Sequence, residues 1–206
     1  LKNSIIFYLS YILIAFFIIF LWKVLPTTTL FIFLIIAAYH FGKEDSLNKI
    51  KKSNFKLLYY FSRGSIIIFA PLAFHANETI EILRMISSTA FTDYLFNLEK
   101  YYFFELMLGL TILSSYLISG KESASFYFEV PSILAMNYFF NPFFAFTIYF
   151  CFLHSVRHII SLSSELDKEN IKEGLNIFFN KALPLSLITA IIFIIALYFL
   201  LDLNQL

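Results

Sequence analysis

The chain has 206 residues, 60% of them hydrophobic and 14% charged, with a net charge of +1 and a mean hydropathy of +0.78. A soluble domain carries about 45–50% apolar and about 25% charged residues, so this composition excludes an ordinary soluble protein and predicts an integral membrane one. The small net charge gives no footprint for nucleic acid, and a lone cysteine, Cys151, excludes an internal disulfide and a cysteine-rich metal site.

In chain order, residues 4–22 form an apolar run long enough to span a bilayer. No small-residue cleavage site follows, so it does not read as a signal peptide. Pro26 and Thr27 to Thr29 predict a tight turn, and a second helix of roughly 15 residues then runs to about Phe41, ending in Ala-Ala-Tyr-His40-Phe-Gly-Lys-Glu-Asp45. Residues 43–56 are lysine-rich. A third helix is expected from Leu57 to His75, and the polar stretch 76–100 leaves the bilayer, where Ile82, Leu83 and Ile86 suit a short surface helix. A fourth helix is expected over about 101–119. The fifth, over 125–140, carries Glu129 and a kink at Pro131, and Asn141-Pro142 starts the sixth, which ends near Ser161. Within 162–182, Ile171, Leu175 and Phe178 make an apolar stripe against Lys168, Lys172 and Lys181, the pattern of an interfacial amphipathic helix. A seventh helix follows over 183–201. There is no internal repeat and no second domain, so the expected fold is all-α: a single polytopic transmembrane bundle over 1–206, of about seven spans.

Threading seven alternating spans puts twelve basic residues on the face of the 43–56 loop: Lys2, Lys43, Lys49, Lys51, Lys52, Lys56, Arg63, Lys121, Arg157, Lys168, Lys172 and Lys181. The other face receives Lys23, Arg84 and Lys100. By the positive-inside rule the first face is cytoplasmic, as expected for a multi-pass protein of the cell (inner) membrane.

The four histidines sort on the same threading. His154 and His158, four residues apart, stack on one helix face where two imidazoles can grip one metal ion, with Arg157 beside them. A zincin would need a glutamate between them, and none is present. Ionisable groups in a membrane helix are costly and mark function by default; the plain alternative is a pair at the water interface bonded to backbone. His40 ends a helix arriving at the same cytoplasmic face, whereas His75 ends one arriving at the opposite face and is the weaker candidate ligand. Glu129 lies at a depth where its carboxylate would orient a ligand histidine, or else pair helices. Cys151, one turn before His154, is a further ligand candidate or a small core residue. Three neutral imidazoles without thiolate suit iron, zinc, copper or nickel. Set in a bundle that is 20% aromatic, they suggest an oxygenase acting on a long apolar substrate.

The run His40-Phe41-Gly42-Lys43-Glu44-Asp45 resembles the H-F-G-x-x-D motif of the Brp/Blh family of membrane β-carotene 15,15′-dioxygenases. Asn141-Pro142 through Tyr149-Phe150 to His154-Ser155-Val156-Arg157-His158 resembles that family's proline turn, Y-F and H-S-x-R-H pattern, and Arg63-Gly64 to Pro71 and Phe74-His75 is similar to a weaker one. The resemblance implies Fe(II)-dependent cleavage of the central double bond of β-carotene by O2, giving two retinals. It implies His40, His154 and His158 as iron ligands, Asp45 and Arg157 as supporting residues, and the lipid bilayer and a downstream retinal-binding opsin as partners. The family carries a further ligand histidine on an earlier helix, and the chain opens on Leu1 without that motif. It is therefore expected to be a fragment lacking that helix, and inactive until the upstream segment is restored.

Two other classes compete. A histidine-rich lipid desaturase or hydroxylase needs about eight histidines for two metals, and four are present. A non-enzymatic retinal or haem carrier, or a transporter, would use His40 and His154 as ligands or proton relays.

Overall fold

A computed structural model describes residues 2–46, 55–119 and 124–203. The lysine-rich loop at 47–54, with Lys49, Lys51 and Lys52, and the segment holding Lys121 lie outside the described residues. Among the described residues every regular element is helical. The chain divides into two compact units, Leu1–His154 and Ser155–Leu206.

In the first unit, α1 (Lys2–Val24) and α2 (Pro26–Glu44) are separated by Leu25 alone. The expected turn at Thr27 to Thr29 is instead the first turn of α2. Proline at the first helical position has the right φ and lacks only an N–H that would be unpaired anyway, while the residue before it is pushed out of helical backbone. Leu25 has φ −133° and ψ 60°. The second helix consequently has 19 residues, not about 15.

The hub is α3 (Lys56–Phe74). Its Ile66, Ile67 and Ala70 are buried against Leu108 of α6 (Phe103–Ser119), Val130 and Ile133 of α7 (Ala124–Phe139), and Tyr149. Further along, Leu72 packs with Ile80 of α4 (Ala76–Arg84), Leu95 of α5 (Thr89–Glu99) and Phe104. Residues 76–100 thus form two helices, more order than one surface helix. The link from α5 to α6 bends by 76°, and Tyr102 there has φ +53°, a left-handed conformation costly for a side-chain-bearing residue.

Where helices pack in lipid, apolar surface has nothing to gain by leaving water, and close backbone approach takes over. The crossing of α2 and α3 shows this. A Cβ on Gly42 would overlap the Tyr60 carbonyl and lie 2.9 Å from the Gly64 nitrogen; one on Gly64 would overlap the Ala38 carbonyl. Glycine on both sides lets the helices touch backbone to backbone.

Asn141 caps α8 (Pro142–Ile148), its side chain accepting from the Phe144 N–H at 2.9 Å, as the Asn-Pro signal predicts. A π turn, Tyr149–His154, follows and ends the unit.

The second unit holds α9 (Ser155–Leu166) and α10 (Ile171–Leu203). The expected amphipathic helix over 162–182 is not separate. Asp167 and Asn170 cap the backbone N–H groups of Glu169, Asn170, Lys172 and Glu173, which ends one helix and starts the next. Beyond Asn170 the lysine-bearing stretch and the expected seventh helix run on as one, through Pro184. Gly174 lies so close to Ser163 that a Cβ would overlap the Ser163 carbonyl.

Among the described residues three helices are long and apolar enough to cross a membrane: Lys56–Phe74, Pro142–Leu166 and Ile171–Tyr198. The bent α5–α6 pair would make a fourth, and Leu9–Val24 is a shorter apolar helix.

Candidate metal centre

The last turn of α2 presents His40 on its exposed side and Asp45, buried, at its C-cap. Asp45 is 5% exposed and its carboxylate is shared. One oxygen, Oδ1, lies 3.2 Å from Nδ1 of His154; the other, Oδ2, accepts a 2.5 Å hydrogen bond from the Tyr149 hydroxyl. A carboxylate can only accept, so the nitrogen facing it carries the proton. In the neutral ring Nε2 of His154 is then left with its lone pair, the form in which an imidazole ligates a metal.

The His40 ring lies 5.6 Å from that of His154, edge to face. Aromatic rings wall the imidazole. Phe41 meets it edge-on at 4.8 Å and Phe150 stacks at 5.6 Å. His154 is 6% exposed, so water has little access to it.

Behind Asp45, Arg63 of α3 forms a buried ion pair with Glu129 of α7 and donates to the Tyr59 hydroxyl at 3.0 Å. Asp45, Arg63 and Glu129 line a cavity of about 10 Å³, enough for one water molecule. Glu129 therefore joins two helices through a guanidinium, and the carboxylate that orients His154 is Asp45. Residue reading reaches Tyr149 only as part of the Y-F motif, without a role, and misses Tyr59 and the Arg63 pairing. Arg63 counts there among the basic residues of the cytoplasmic face, and only the 63–129 contact, between distant parts of the sequence, shows it paired inside the helices. Taking it out of the basic count leaves eleven residues against three.

Of the remaining candidates, His158, exposed, and Arg157, half-buried, lie on α9 in the second unit. Cys151 is exposed in the π turn. His75 sits between α3 and α4, about 18 Å along the helix axis from Arg63, with its Nε2 buried and without a hydrogen-bond partner. Among the described residues no three His, Cys, Asp or Glu side chains converge on one metal position. The donors in place are thus two adjacent imidazoles, one aimed by a carboxylate. Their chemistry fits ligation of iron, as part of a set that needs further donors.

These features define an all-helical protein with membrane-length apolar helices and a buried histidine–carboxylate centre. Within that class the chain belongs to the β-carotene 15,15′-dioxygenase family, whose model matches residues 1–205. It is 26% identical over 166 residues to the β-carotene 15,15′-dioxygenase of uncultured marine bacterium 66A03, covering 80% of this chain and 58% of that protein. The chain therefore spans little more than half the length of that curated relative. No solved structure matches it.

Proposed function

We propose that this protein is a multi-pass enzyme of the cell membrane that uses O2 to cleave the central 15,15′ double bond of β-carotene, giving two retinals. The observation that carries the reading is the His154–Asp45 contact beside His40, in a chain of this family. His40 and His154, with His158 four residues further on, would hold Fe(II), which supplies the redox chemistry by which dioxygen reacts. One C=C bond is broken and two C=O bonds form, so both oxygen atoms enter product and no external reductant is required.

The chain's own residues do the rest. Asp45 orients His154 and, in the neutral ring, selects the tautomer with the proton on Nδ1 and the lone pair on Nε2. Phe41 and Phe150 exclude water from the ring and offer an apolar bed to a polyene. The same reading takes the bundle as seven spans with the centre toward the cytoplasm, and Arg157 as a supporting residue.

The test is retinal formation in a host that accumulates β-carotene. Expressed from its complete reading frame, the wild-type protein should convert it, and His154→Ala, inserted to the same level, should not. Full turnover by His154→Ala sinks the ligand assignment. Carotene bound but never cleaved by wild type would favour a carrier over an enzyme.

A further inference from the structure

We propose that Tyr149 is a positioning residue of the metal centre: held by the π turn, its hydroxyl fixes the Asp45 carboxylate and, through it, the Nδ1-protonated form of His154. The proposal rests on the histidine–metal reading above and goes beyond it to a residue that touches neither metal nor substrate.

Three observations carry it. First, the Tyr149 hydroxyl donates to Asp45 Oδ2 at 2.5 Å, in a site where the tyrosine is 2% exposed. A hydrogen bond to a buried carboxylate is charge-assisted and strong. With Oδ2 so held, the carboxylate cannot turn, and Oδ1 stays on His154. Second, the backbone between them is a π turn. On an α-helix, positions five apart point about 140° away from each other. Closing the ring from i to i+5 brings them back to one side, and the two rings lie 6.2 Å apart and tilted by only 34°. The irregular turn therefore lets one carboxylate hold both residues. Third, the ring is wedged against Phe41 and Phe146 at 5.8 and 6.4 Å, so the hydroxyl cannot swing aside.

A merely structural tyrosine would affect stability alone; a positioning one changes metal affinity. The protein in detergent is titrated with Co(II), whose visible absorption reports ligation by imidazole. Tyr149→Phe keeps the ring and removes the bond, and should weaken Co(II) binding roughly tenfold, the lower end of the range for groups that orient a ligand. Asp45→Asn should weaken it by about 10–100-fold. Because Tyr149 acts through Asp45, the double variant should lose no more than Asp45→Asn alone. Ser114→Ala, which removes a 2.8 Å hydrogen bond to Ser62 outside the cluster, should leave binding unchanged.

Binding by Tyr149→Phe within about twofold of wild type, or additive losses in the double variant, overturns the proposal. If Tyr149→Phe does not fold, the wild type still decides. With ¹⁵N-labelled histidine and His154→Ala to assign the signal, the metal-free neutral ring should be protonated at Nδ1, and protonation at Nε2 overturns the proposal. Equal Co(II) binding by wild type and His154→Ala would instead overturn the histidine-site reading itself.

Discussion

At the scale of single residues the energetic weight sits in a few buried polar groups. Arg63 and Glu129 pair with side-chain exposures of 6% and 11%, where both charges have lost most of their water. Bringing such a pair out of water is costly, and removing one partner is costlier still, because the other charge stays behind. Arg63→Met should therefore destabilise the fold by about 3–5 kcal/mol, seen as a lower midpoint of thermal unfolding in detergent. The double variant Arg63→Met, Glu129→Leu should recover most of the loss, since an apolar pair of similar volume needs no solvation. A double variant no more stable than the single one would show that the pair is not what joins α3 to α7. Residue reading reached His40 and His154 by residue type and placement, and Asp45 only through the H-F-G-x-x-D resemblance. It could not reach the partner of each group. Which carboxylate faces His154 depends on a crossing of helices, and Glu129 and Asp45 are equally acidic on paper.

At the scale of elements, the α2–α3 crossing sets where His40 and Asp45 lie. Gly42 and Gly64 are the points of closest approach, and the obstacles to a methyl group there are backbone atoms, which cannot rotate away. Gly42→Ala should cost at least the 1–3 kcal/mol, roughly, of ordinary overpacking. It should also part Asp45 from His154, and a misplacement of about 1 Å at a reacting centre can cost about 100-fold in rate. Gly109 of α6 has nothing within 4 Å of its would-be Cβ, so Gly109→Ala should be neutral or slightly stabilising. Retinal yield and unfolding midpoint, measured on both variants, check this; equal behaviour would mean that the crossing does not position the site. The helices themselves were largely legible, because apolar runs and Pro or Asn-Pro signals are local. Their ends were less so. Pro26 reads as a turn or as a helix start, and only the helical geometry of Thr27 to Thr29 chooses. The π turn leaves no mark in composition at all: Tyr149 to His154 is an apolar run like its neighbours, and the extra residue per turn is visible only in the backbone.

At the scale of the whole molecule, the question is how the helices thread the membrane. The helix at the hub, α3, has 19 residues and so a length of about 28 Å, close to the roughly 30 Å hydrocarbon core. Lys56 begins it and His75 follows it, so a spanning α3 puts these two ends on opposite faces of the bilayer. If seven spans alternate as proposed, the basic residues set the direction, and the expected outcome is a cytoplasmic Lys56 face. Cysteine scanning tests this directly. With exposed Cys151 first changed to serine, single cysteines at Lys56→Cys and Asn77→Cys, both exposed positions, should react with a membrane-impermeant thiol reagent from opposite sides. In intact cells Asn77→Cys should label and Lys56→Cys should not, and in inverted vesicles the pattern should reverse. Labelling of both from one side would mean that α3 does not span. His75, whose buried Nε2 has no partner, would then lie on the same face as His40 and return as a candidate ligand.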